Sequence, residues 1–182
     1  PWLDGRDSEI IELYGASGTG KSELLMHAAV SWASPLIVSG GQRRAVIFDN
    51  DFRISLHRLH DIINSRFSQQ EIRNQTIDRI AIVRCQTSLE FLDALQIISS
   101  RHGDHTKEDN QSMLFLIDSL AAFFWREDRP AAHGLGPPSL TPAIIRAISK
   151  CVRKDKTLVI VAKPIIFKSK TLKSEMHTPL SS

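Results

Sequence analysis

A glycine-rich stretch that ends in a lysine and a serine, GASGTGKS, occupies residues 15–22. It matches the pattern G-x-x-x-x-G-K-[ST] at every fixed position. Such glycines let backbone N–H groups turn toward phosphate oxygens, while the lysine contacts the terminal phosphates and the hydroxyl binds Mg²⁺. We therefore predict an ATP and Mg²⁺ site, with Lys21 also serving catalysis, formed by Gly15, Ala16, Ser17, Gly18, Thr19, Gly20, Lys21 and Ser22. The alternative is a glycine loop that matches by chance.

Two carboxylates follow apolar runs that are typical of buried strands. Asp118 closes the run MLFLI, and Asp51 comes two residues after the end of RAVIFD. An acid at the tip of such a strand, in a chain with a phosphate loop, predicts a second Mg²⁺ ligand beside Ser22. Asp51 is a candidate catalytic residue that orients an attacking water. The alternatives are that Asp118 only caps a turn and that Asp51 only caps the helix predicted over residues 54–65.

The net charge of +3 is concentrated at one end of the chain. Residues 163–182 hold four lysines and one glutamate, so this segment carries the whole excess. Basic side chains can contact DNA phosphates. The candidate DNA contacts are Arg126, Arg129, Lys163, Lys168 and Lys170. The alternative is a solvated end of the chain.

Strands and helices must alternate to position these residues. Apolar runs predict strands at residues 9–14, 44–49, 80–85, 113–118 and 157–162. Helical patterns separate them at residues 22–33, 54–65, 87–100 and 141–154, with a further helix after residue 68. Capping boxes at Ser68/Glu71 and Thr87/Glu90 predict two helix starts. Polar residues 101–112 and the Gly- and Pro-rich residues 126–138 predict loops. The fold class is α/β, with a mostly parallel five-stranded sheet flanked by helices.

Composition limits the class of protein further. The chain has 182 residues, 42% of them hydrophobic and 24% charged, as is usual for a globular domain. We expect no membrane partner, because no apolar run approaches the ~18 residues of a spanning helix, and no secretory leader opens the chain. Two cysteines without metal-ligand spacing favour a reducing compartment. Residues 1–165 are predicted to form one ATP-binding core, and residues 166–182 a basic, flexible tail.

Three stretches resemble the recombinase paralogues of the RecA-like family. They are residues 3–25, VIFDND at residues 46–51, and MLFLIDSLAAFFWRED at residues 113–128. The resemblance implies a RecA-like ATPase core with ATP and Mg²⁺ on residues 15–22 and Asp118 near the metal. It further implies nuclear work in homologous recombination repair of double-strand breaks and stalled forks. The implied partners are other recombinase paralogues in a hetero-oligomeric complex, and single-stranded or branched DNA, contacted directly or through the complex.

The chain departs from that family at two positions near the expected site. Asp51 stands where active recombinases carry a glutamate, and a displacement of ~1 Å in such a group can cost about 100-fold in rate. Lys163-Pro164 stands where the family has a glutamine that senses the γ-phosphate. The family sheet also continues further, so we expect a core shortened on its C-terminal side.

These departures favour an ATP-binding subunit that is at most a weak DNA-dependent ATPase. The first alternative is an active DNA-stimulated ATPase that uses Asp51. The second alternative is a small-molecule P-loop kinase, whose lid would carry Arg126 and Arg129.

Overall fold

The computed structural model describes residues 10–35, 43–103, 112–124, 140–154 and 157–164. The strands are β1 (Ile10–Gly15), β2 (Arg43–Asp49), β3 (Ile80–Val83), β4 (Ser112–Asp118) and β5 (Leu158–Pro164). The helices are α1 (Lys21–Ala33), α2 (Leu56–Arg66), α3 (Gln70–Ile77), α4 (Ser88–Gly103), α5 (Ala121–Phe124) and α6 (Thr141–Lys154). No helix in these ranges is long and apolar enough to cross a membrane.

The five strands form one sheet in the order β1-β5-β4-β2-β3, and every pairing is parallel. The register sets Asp49 at the end of β2 beside Asp118 at the end of β4. It likewise sets Gly15 at the end of β1 beside Pro164 of β5. The predicted α/β fold is therefore confirmed, and the carboxyl ends of these strands meet at one edge, where open parallel sheets bind ligands.

The central strands β2, β4 and β5 are buried on both faces of the sheet over most of their length, and these buried stretches are almost entirely apolar. In β2, Ala45 and Ile47 face a core shared with α1 and α2, whereas Val46 and Phe48 face a core shared with α4 and α6. The second core contains an aromatic group, in which the Phe48 ring lies 5.2 Å from that of Phe91 in a T-shaped arrangement.

Helix α1 lies close against the sheet. It has 13 residues, and the buried ones include three alanines, Ala28, Ala29 and Ala33. Ala28 and Ala29 belong to the core that the helix shares with the strands, where their small side chains allow close packing. The helix that begins at the phosphate loop is therefore also a principal part of the first core.

Several predicted boundaries need correction. The capping box at Ser68 is wrong: α3 begins at Gln70 with Gln69 as its N-cap, and no cap side chain bonds the first turn. Arg73 instead donates to the carbonyl of Ser68, which closes the start of this helix. The Thr87 prediction is confirmed, because the Glu90 N–H donates to Thr87 Oγ1 at 3.1 Å.

Other differences concern the lengths of elements. Helix α4 continues to Gly103 and β4 begins at Ser112, so the predicted loop over residues 101–112 is too long at both ends. Strand β5 extends to Pro164, because its last residues pair with β1. The predicted loop at 126–138 and the tail at 166–182 lie outside the described residues.

Candidate nucleotide-binding site

The stretch GASGTGKS forms the connection from β1 to α1. Gly18 and Gly20 have positive φ angles, 80° and 84°, which side chains with a Cβ rarely adopt. Gly15 has a different constraint: a Cβ there would clash with Thr19 Oγ1 unless that side chain moved. That hydroxyl donates to the carbonyl of Ala16 at 2.9 Å and so tightens the turn.

Lys21 is the first residue of α1 and folds over the loop. Its ammonium donates to the carbonyls of Gly15 and Ala16 at 2.8 and 2.7 Å. The N-cap residue is Gly20, so no side chain caps the first N–H groups of the helix. The N-terminus of such a helix favours an anion, and the Lys21 ammonium lies beside it. The loop therefore has the backbone and charge that a polyphosphate needs.

Ser22 and Asp118 meet although 96 residues separate them. The Ser22 hydroxyl donates to Asp118 Oδ2 at 2.5 Å. The carboxyl is 3% exposed. Burial raises its pKa above the ordinary value, the bond from Ser22 opposes this, and the charges of Asp51 and Asp49 add to the increase. A bound cation would stabilise the ionised form.

The two oxygen groups are ligands that Mg²⁺ accepts. In the described ranges, no group of three or more His, Cys, Asp or Glu side chains could hold a metal alone. The Ser22 hydroxyl and the Asp118 carboxylate fit Mg²⁺, which usually takes one or two protein ligands together with phosphates and waters. The residues present therefore fit Mg-ATP, with Ser22 and Asp118 as the metal-facing pair.

A cleft with a volume of about 520 Å³ is lined by the phosphate loop, Ser22 and Asp118. Asp51 lines this cleft as well. Its carboxylate accepts a hydrogen bond from the Ser119 hydroxyl at 3.2 Å. The N–H groups of Asn50 and Asp51 both donate to the Asp118 carbonyl, at 2.7 and 3.2 Å. The Asp118–Ser119 peptide bond is cis. The predicted metal ligand and the predicted water-positioning acid are thus joined through the ends of two neighbouring strands.

The capping role considered for Asp51 belongs to Ser55, the N-cap of α2, whose side chain accepts a hydrogen bond from the first turn of the helix. The role of Asp49, the other acid of this stretch, was not predicted. Asp49 is fully buried. Its Oδ1 accepts from the backbone N–H groups of Arg53 and Ile54 at 2.8 and 3.3 Å. Its Oδ2 accepts from Arg84 Nε at 3.1 Å. Asp49 therefore fixes the turn between β2 and α2.

Three further charged residues line the cleft and were also missed: Glu23, Arg53 and Arg58. The Glu23 carboxylate accepts from Arg58 Nε at 2.9 Å, and this bond lowers the pKa of Glu23. Arg53 Nη1 lies 3.4 Å from Ser17 Oγ of the phosphate loop. The position of Arg53, two residues after Asp51, was a signal that could have identified it.

The candidate DNA contacts have separate outcomes. Lys163 is described: it pairs with Glu12 of β1, and its ammonium lies 5.6 Å from the centre of the Tyr14 ring. A DNA contact by Lys163 stays a prediction. Its neighbour Pro164 lines the nucleotide cleft. The remaining candidates lie outside the described residues, namely Arg126, Arg129, Lys168 and Lys170.

The parallel sheet, the phosphate loop and the acid at the end of β4 define a P-loop fold of the RecA type. The family model named Rad51 matches residues 5–135. The chain therefore belongs to the Rad51 family, and the resemblance found in the sequence is confirmed at that level.

Similar proteins include several named for DNA repair. The DNA repair protein XRCC2 of Mus musculus is 27% identical over 119 residues, which cover 64% of this chain and 41% of that protein. The DNA repair protein XRCC2 homolog of Arabidopsis thaliana is 24% identical, with coverage of 97% and 60%. The DNA repair and recombination protein RadA of Methanoculleus marisnigri is 28% identical, with coverage of 65% and 37%. The chain thus spans between about two fifths and three fifths of these relatives.

Proposed function

We propose that this chain is an ATP-binding subunit that acts in homologous recombination repair of DNA double-strand breaks and stalled forks in the nucleus. The observation that carries the ATP part is the contact of Ser22 with Asp118 beside a complete phosphate loop. Membership of the Rad51 family and relatives named for DNA repair support the repair part. In this proposal residues 15–22 bind the phosphates, and Ser22 and Asp118 bind Mg²⁺.

The proposed partners are other recombinase paralogues in a hetero-oligomeric complex. Two similar proteins, named DNA repair protein RAD51 homolog 2 and DNA repair protein RAD51 homolog 4, support a place among the paralogues. Strands β1 and β3 lie at the two edges of the described sheet, and unpaired strand edges favour a covering partner. Single-stranded or branched DNA is proposed as a further partner, reached directly or through the complex. Residues 1–165 are proposed as the ATP-binding core and residues 166–182 as a basic tail.

The first experiment tests the phosphate loop by thermal unfolding with and without Mg-ATP. A ligand at 100 times its Kd adds about 2.7 kcal/mol of stability, or roughly 5–10 °C for a chain of this size. We expect that increase for the unmodified chain and its loss in Lys21→Ala. Lys150→Ala, which removes an exposed lysine of α6, is the matched control and should keep it. Equal increases in all three proteins would contradict the nucleotide site.

A working ATPase is the second candidate function, and the position of Asp51 on the cleft favours it. The test is single-turnover hydrolysis of Mg-ATP with and without single-stranded DNA. A binding subunit should hold ATP with negligible turnover in both conditions. DNA-stimulated turnover that collapses in Asp51→Asn and survives in Asp51→Glu would instead establish the enzyme. The kinase alternative depends on Arg126 and Arg129, which lie outside the described residues, and stays a prediction without structural support.

A further inference from the structure

Arg53 brings a second cation to the phosphate loop from a different part of the chain. Its Nη1 lies 3.4 Å from the hydroxyl of Ser17, the third residue of the loop. Lys21 approaches the same loop from α1, so the two cations lie on one cleft. Neither the motif nor the family resemblance singled out Arg53, because the residue comes from the turn after β2.

The backbone that carries Arg53 is held at several points. The Arg53 N–H donates to the buried carboxylate of Asp49 at 2.8 Å. The preceding residue, Phe52, adopts a φ of 58°, and Asp51 bonds the end of β4 through its N–H. The turn is therefore fixed to both β2 and β4. A guanidinium on such a turn is pre-positioned for a ligand, which lowers the entropy lost on binding.

The charges around the cleft distinguish Arg53 from its neighbours. Arg58 is engaged by the carboxylate of Glu23 through two nitrogens. Lys21 is bonded to carbonyls of the loop itself. The guanidinium of Arg53 meets a neutral hydroxyl at long range, an arrangement that leaves its planar fork suited to phosphate oxygens.

The location of Arg53 also indicates which phosphate it would meet. Lys21 and the metal-facing pair of Ser22 and Asp118 mark the β- and γ-phosphate end of a P-loop site. Arg53 lines the same cleft as Lys21, Ser22 and Asp118.

We propose that Arg53 contacts the γ-phosphate of the bound nucleoside triphosphate and makes the site prefer ATP to ADP. This inference rests on the proposed function, since it requires a nucleotide on residues 15–22. A charge-assisted bond to a phosphate that ADP lacks should favour ATP by about 10- to 100-fold. The preference arises within one chain and does not require hydrolysis.

The test is calorimetric titration of the full chain with Mg-ATP and with Mg-ADP. Arg53→Ala should raise the Kd for ATP by about 10- to 100-fold and that for ADP by less than about threefold. Arg53→Lys keeps the charge but not the fork and should restore part of the ATP affinity. Arg44→Ala, at the opposite end of β2, is the matched control and should change neither constant. Far-UV circular dichroism of each variant checks the fold, and Arg53→Gln replaces Arg53→Ala if the latter fails to fold.

The outcomes of this titration distinguish a failure of the γ-phosphate contact from a failure of the proposed function. If the unmodified chain binds neither nucleotide, the proposed function fails and this inference fails with it. If the chain binds both and Arg53→Ala weakens them by the same factor, or weakens neither, only the γ-phosphate contact is refuted. Lys21→Ala should raise the Kd for both nucleotides, and it serves as the reference for a general loss of phosphate binding.

Discussion

Replacement of Asp49 by alanine should be among the most destabilising single changes in the described chain. The carboxylate is fully buried and accepts hydrogen bonds from Arg84 and from the N–H groups of Arg53 and Ile54. Loss of one partner of a buried charge pair costs about 3–5 kcal/mol. Because Arg84 is 46% exposed, water compensates part of that loss, and we expect about 3 kcal/mol. This is a large part of the 5–15 kcal/mol that stabilises a typical domain.

Asp49→Asn separates the two contributions of the side chain. It keeps an oxygen that can accept from the turn but removes the charge opposite Arg84, so we expect a loss of about 1–2 kcal/mol. Urea unfolding followed by circular dichroism measures both variants, with Asp93→Ala on the exposed face of α4 as the control. An Asp49→Ala variant within ~0.5 kcal/mol of that control would refute the reasoning, since surface changes fall in this range.

Two other predictions concern the loop and a buried thiol. Gly15→Ala should cost about 1–3 kcal/mol by urea unfolding, because the new Cβ meets Thr19 Oγ1. The double variant Gly15→Ala/Thr19→Ala should recover part of this loss, and no recovery would exclude the clash as the cause. Burial raises the pKa of Cys85 to about 11, so this thiol should resist iodoacetamide at pH 8 in a Cys151→Ala background. The pKa of Cys85 in the folded state exceeds that of a free thiol. The free energy of unfolding should therefore be unaffected by this thiol at neutral pH and should fall as the pH rises from about 9 to about 11. Rapid labelling without denaturant would contradict the burial.

The parts of the fold that depend on local pattern could be predicted from the sequence. Runs such as MLFLI are apolar at every position, so they indicate strands buried on both faces and hence a parallel sheet. The contact of Ser22 with Asp118 was also predictable, because parallel strands that end at one edge bring their final residues to a loop at that edge.

The parts that depend on contacts between distant segments could not be predicted. Asp49 and Asp51 are chemically alike in the sequence, and only the turn decides which one bonds the backbone and which one faces the cleft. The ion pair of Lys163 with Glu12 joins residues 151 positions apart, through the β1–β5 register. Ser68 resembled a helix cap, but Arg73 closes that helix start from the following turn.

The alanines of α1 have a consequence for how this chain can vary. Ala28 and Ala29 pack in the core that α1 shares with the sheet, while Lys21 and Ser22 at the start of the helix line the cleft. A larger residue at either alanine would displace the helix and carry both site residues with it. Selection for packing and selection for ligand binding therefore act on the same 13 residues. A descendant that no longer needed the ligand could accept larger side chains there, and the loss of these alanines would record the change.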